Sequence, residues 1–128
     1  MASSPSGVGG FRELVAWQKA YALGLALYRI TSRFPDSERF GLISQLRRGG
    51  VSIAGSIAEG YGRGGRADYV RFLKIARGAL REVDTQAQFS LDLGFASPSD
   101  HQEVRSMIDE SQRVLAGLIR SLDPNDTL

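Results

Sequence analysis

Cysteine is absent from the whole chain. Disulfides, thiolate nucleophiles and sulfur-ligated zinc are thereby excluded, and the composition fits a reducing compartment. Histidine is nearly absent: His101 stands alone, so an imidazole metal site or proton relay lacks its second member. No Glu-x-x-His pair exists for a di-iron bundle site, and no serine–histidine neighbourhood offers a nucleophile with its base. Long apolar runs are missing as well. The longest, Ala22–Tyr28, falls far short of the roughly 18 residues that a spanning helix needs. At the start, MASSPSGVGG has no basic residue followed by an apolar stretch, so no secretory leader is expected. These absences predict a cytoplasmic, non-enzymatic protein with no cofactor, no metal and no membrane association.

What is present is enough for one domain. The 128 residues are 42% apolar and 23% charged, close to globular averages. A Ser/Pro/Gly-rich segment, 1–10, reads as a flexible N-terminal tail, and 123–128 as a C-terminal one.

The net charge of +2 hides a separation along the chain. Residues 1–38 carry +1, residues 39–81 carry +7 and residues 82–128 carry −6. A basic third beside an acidic third is a pattern for holding a polyanion on one side. Fourteen of the sixteen basic residues are arginine, which suits bidentate phosphate contacts. Codon bias of a GC-rich genome gives the same arginine excess, but it leaves the segregation unaccounted for.

Apolar spacing predicts helix almost throughout. In Phe11–Phe34, Leu14, Trp17, Tyr21, Leu25 and Tyr28 form one face. Ala16, Ala20, Leu23, Leu27, Ile30 and Phe34 form a second. One face is expected in the core and the other against another subunit. A second helix, 38–61, has Leu42, Leu46, Ile53 and Ile57 as its seam, with Gly49, Gly50, Gly55 and other small residues allowing close approach. A third, 66–93, carries a core arc from Tyr69 to Ala87 and stops at Gly94. The fourth opens on Ser97 as N-cap with Pro98 behind it, and runs to Leu122. The fold class predicted is all-α: an antiparallel up-down-up-down four-helix bundle over 11–122.

The glycines of GSIAEGYGRGGRADYVRF raise the question of a phosphate loop. The stretch lacks G-x-x-x-x-G-K-[ST], and no strand precedes it. It reads as a helix stop, a turn and the next N-terminus, with Arg63 and Arg66 still able to meet a phosphate of a larger polymer.

Several stretches together resemble the bacterial ribosomal RNA intervening-sequence type of four-helix-bundle protein. They are FRELVAWQKAYAL, FPDSERFGLISQLRRGGVSIAGSIAEGYGR, RFLKIARGALREVDTQ, DLGF and VRSMIDESQRVLAGLIRSL. The likeness covers about 11–122, and 45–63 is its most specific part. It implies a barrel-like homopentamer, distant kinship with the accessory variability proteins of diversity-generating retroelements, and nucleic-acid binding as the usual suggestion. Gly49 and Gly50 replace the family's usual Ala-Ala, and Ala54 and Ser56 stand where Pro and Asn are usual.

The candidate nucleic-acid-binding set is Arg47, Arg48, Arg63, Arg66, Arg71, Lys74, Arg77 and Arg81. The same cations fit pairing between subunits, or a solvated face. Trp17, Tyr21, Tyr28 and Glu59 are the candidate oligomer-interface residues. The aromatics also have the chemistry to stack bases. Glu59, near a helix C-terminus where the dipole disfavours a carboxylate, should have a cationic partner such as Arg63, or Arg47 or Arg48 of a neighbour. The partners expected are a second copy of the chain, RNA or DNA, and, in an alternative reading, a protein that docks on the assembled scaffold.

Overall fold

The structure is a computed structural model that describes residues 10–126. Four helices follow one another: α1 (Val15–Thr31), α2 (Leu42–Tyr61), α3 (Arg66–Asp92) and α4 (Pro98–Leu122). Short 3-10 turns at Gly10–Glu13 and Asp36–Glu38 precede α1 and α2, and no strand occurs among the described residues. Most of the expected N-terminal tail lies outside the described residues, as do 127 and 128.

Side-chain chemistry sets the helix ends. α1 is shorter than the expected 11–34. Thr31 Oγ1 donates back to the Leu27 carbonyl at 2.7 Å and Ser32 Oγ to that of Arg29 at 2.6 Å. Such back-bonding competes with the helical ladder, and Pro35 then bars its continuation. α2 begins at Leu42 rather than 38: Asp36–Glu38 forms a separate 3-10 turn, Gly41 is the N-cap, and Glu38 Oε1 reaches over it to accept from the Leu42 amide at 3.1 Å. At the other end of the chain the expected signals act as read. Gly94 takes a φ of 82° after α3, and Ser97 Oγ accepts from the Asp100 amide at 3.0 Å to open α4.

Each helix packs on the next and α4 closes back on α1, with no diagonal backbone contact among the described residues. The cross-contacts give the direction. Gln45, early in α2, reaches Gln86, late in α3. Arg47 reaches back to Thr31 at the end of α1. Lys19 pairs with Glu110, and Arg33 with Asp100 at the other end of the same seam. Neighbours therefore run antiparallel, up-down-up-down.

The second face of α1 is buried: Ala20, Leu23, Leu27 and Ile30 meet Ile53 and Ile57 of α2, Leu73, Leu80 and Val83 of α3, and Ile108, Leu115 and Ile119 of α4 in one core. Each large aliphatic side chain enclosed this way contributes roughly 1.5–3 kcal/mol. At the α1–α2 crossing the backbones nearly touch. A Cβ on Gly50 would lie 3.1 Å from Gly24 Cα, so glycine at 50 is what allows the approach. The first face of α1 is open, with Tyr21 49%, Leu25 57% and Tyr28 45% exposed. Trp17 is half-buried, stacked on Tyr21 at 4.8 Å and met edge-on by Phe11 at 5.3 Å.

Candidate nucleic-acid interface

The eight candidate cations do not form one face. Four are neutralised within the chain. Arg63, in the turn after α2, bonds Glu59 at 3.3 Å and Asp68 at 3.2 Å, and Arg71 bonds the same Asp68 at 3.1 Å. Lys74 reaches Asp123 at 3.1 Å, and Arg77 bonds Asp126 at 2.9 Å with both side chains almost covered. The two arginine bonds hold the Asp68 carboxyl below the usual carboxylate range, Arg63 contributing most and Arg71 next. Arg63 is pushed up in turn, by its bonds to Asp68 and then Glu59. Glu59 thus meets its partner in its own chain.

This corrects the expectation of a single cationic exterior running through Arg63, Arg71, Lys74 and Arg77. Segregation along the sequence is undone by the fold. α4 returns antiparallel to α3, so Asp123 and Asp126, just past its C-terminus, arrive beside Lys74 and Arg77 in the first half of α3. Arg77 is the clearest case, since its side chain is only 11% exposed.

The other four, Arg47, Arg48, Arg66 and Arg81, make no ion pair with a described residue. Arg66 opens α3, exposed and apart from the rest. Arg48 shares one cleft with Arg81 and another with Arg47. Arg48 projects from α2 as a ridge between two open clefts and bonds only Ser44 Oγ, at 2.9 Å. On one side a cleft of about 710 Å³ runs between α2 and α3, with Arg81 and Glu82 on its far wall and Gly49 and Ala79 at its base. Gln45 and Gln86 bond across it at 3.2 Å, and Gln86 Oε1 is buried without a partner among the described residues. On the other side a cleft of about 590 Å³ runs between α1 and α2. There Arg47 is held by Thr31 Oγ1 at 2.8 Å and the Tyr28 carbonyl at 3.2 Å, and lies 4.7 Å above the Tyr28 ring.

The glycine-rich stretch is a turn. α2 ends at Tyr61, Gly64 takes a φ of 92°, and Gly65 precedes α3 without a side-chain cap. His101 is half-buried near Phe34 and Ala96, and no group of three metal-ligating side chains occurs among the described residues. No helix among them is long and apolar enough to cross a membrane.

Residues 12–117 match the family described as 23S rRNA-intervening sequence protein. The chain belongs to that family. Among solved structures, this intervening-sequence family member is similar to a protein of unknown function from the S23 ribosomal protein family of Bacteroides thetaiotaomicron VPI-5482. The two share 19% identity over 83% of this chain and 99% of the other, with a TM-score of 0.77, a likeness of fold alone. No curated protein matches.

In this family member, sequence reasoning named Arg47, Arg48 and Arg81 among its candidates but not what surrounds them. Phe40 is 88% exposed at the mouth of the α1–α2 cleft, beside Arg39. It belongs to no periodic face, and the only signal for it was an aromatic flanked by Arg39 and Gly41 ahead of α2.

Proposed function

We propose that this chain is a non-catalytic, self-associating helical bundle of the cytoplasm that holds RNA or DNA by its phosphates, with little sequence preference. One observation carries the reading: Arg48 stands between two open clefts, with Arg81 lining one and Arg47 the other, and none of the three is ion-paired with a carboxylate among the described residues. An unpaired guanidinium retains its donors for a phosphate, whereas a paired one must first give up its carboxylate. The name of the family, 23S rRNA-intervening sequence protein, points to an RNA setting. Self-association is supported by the open face of Tyr21, Leu25 and Tyr28, and the family resemblance implies five copies. Repetition of the ridge around a ring would multiply weak individual contacts.

The test is a binding titration with mixed-sequence RNA on nucleic-acid-free protein between about 50 and 200 mM salt. Each neutralised phosphate adds roughly 0.7–0.9 to the slope of log K against log salt. Arg48→Ala and Arg81→Ala are expected to flatten that slope by about 1 or more each, and Arg77→Ala to leave it nearly unchanged. Absence of salt-sensitive binding, or equal effects of all three variants, overturns the reading. A scaffold that docks a protein is favoured by a separate observation, the exposure of Ile75 and Phe89 on α3 and of Leu93 at its C-cap. A partner retained after nuclease treatment would support it.

A further inference from the structure

We propose that the cleft between α1 and α2 seats an unpaired base of a single-stranded nucleic acid, with Phe40 as the stacking platform. The proposal rests on the nucleic-acid reading above and narrows it from any polyanion to single strands.

Phe40 is the most exposed large apolar side chain described, 88% open, at the lip of a cleft of about 590 Å³. The lining combines aromatic and aliphatic surface from Tyr28, Phe40, Ile43 and Val51 with three arginines, Arg39, Arg47 and Arg48, and no carboxylate. Apolar walls with positive charge alone fit a flat, uncharged ring attached to an anion.

The arginines differ in how they are held. Arg47 is fixed by Thr31 Oγ1, itself a buried hydroxyl, and by the Tyr28 carbonyl, so its guanidinium is pre-positioned against the Tyr28 ring. Arg48 has one bond, to Ser44. Arg39 lies 5.3 Å from the centre of the Phe40 ring and pairs with Asp36 at 3.5 Å, both side chains well exposed, a pair that water weakens. A base entering the cleft would take the ring face from Arg39, which would then turn to the adjoining phosphate. Duplexes keep their base faces stacked inside, and only an unpaired base offers one to Phe40. The ridge arginines should hold both forms, and the ring should distinguish them.

The experiment compares an oligothymidylate and an oligouridylate with a duplex of equal length, at about 50 mM salt where phosphate contacts are strong. Stacking on one aromatic side chain is worth a factor of about 5 to 150 in affinity. Phe40→Ala is expected to weaken single-strand binding within that range and leave duplex binding within about twofold. Phe40→Trp should restore the single-strand affinity, which a merely structural role would not predict. Circular dichroism melts check that the variants fold, and the exposure of the ring makes this the expected result. Equal loss for single strand and duplex, or no loss for either, overturns the proposal while leaving the polyanion reading standing. A fall in oligomer mass for Phe40→Ala in light scattering identifies a second copy as the occupant and also overturns it. Wild-type protein that binds neither form removes both readings.

Discussion

Asp68 bridges Arg63 and Arg71 at the start of α3, so one carboxylate silences two of the cations that the sequence offered to a polyanion. Its folded-state pKa lies below that of a free aspartate, which is about 3.9. Ionisation therefore favours the folded chain. The contribution is complete above the unfolded value and is lost as the pH falls through the lower, folded one. Asp68→Asn is expected to remove that part of the acid limb, so that urea midpoints of the variant fall less between about pH 4 and pH 2 than those of the parent. The same change should release Arg63 and Arg71 and steepen the salt dependence of RNA binding at pH 7. A variant with an unaltered acid limb would show that the pair is not formed in solution. Tyr69, next in the chain, has a buried hydroxyl without a partner among the described residues, and burial, then Tyr61, pushes its phenol up.

At the scale of elements, the small residues of α2 divide into those that permit packing and those that do not take part. A Cβ on Gly60 would sit 2.6 Å from Phe72 Cβ, whereas one on Gly55 would meet nothing within 4 Å. Gly55→Ala should therefore stabilise the bundle by about 0.5–1 kcal/mol through helix propensity alone. Gly60→Ala should destabilise it by about 1–3 kcal/mol through overpacking at the α2–α3 contact. Urea denaturation of both variants checks the pair. The opposite order would mean that the small residues serve a contact outside the single chain. Much of this level was legible in the sequence. Ala20, Leu23, Leu27 and Ile30 declare the buried face of α1 by spacing, and Ser97 and Gly94 mark their helix ends by backbone chemistry. The limits of α1 and α2 were not, because Thr31 and Glu38 act through bonds to particular backbone groups that periodicity does not register.

For the molecule as a whole, the apolar face left open on α1 and the pairing of charges between α3 and the chain end decide what the surface presents. Tyr21, Leu25 and Tyr28 form a continuous apolar stripe beside the half-buried Trp17. Leu25→Glu is expected to convert an assembled species to monomers in light scattering while leaving the helical signal in circular dichroism intact, since Leu25 makes no contribution to the core. A wild-type monomer would refute the assembly. The candidate site was legible only in part. Arg47, Arg48 and Arg81 could be chosen from composition, but Lys74 and Arg77 could not be set aside. Their partners Asp123 and Asp126 follow a whole helix later, and only the closing of α4 on α3 brings them near.

That closing has one more effect. By laying two carboxylates over Lys74 and Arg77, the segment after α4 supplies counterions to two cations of α3. On the nucleic-acid reading proposed above, removing Asp123 and Asp126 is expected to open Lys74 and Arg77 to phosphates and to steepen the salt dependence of RNA binding.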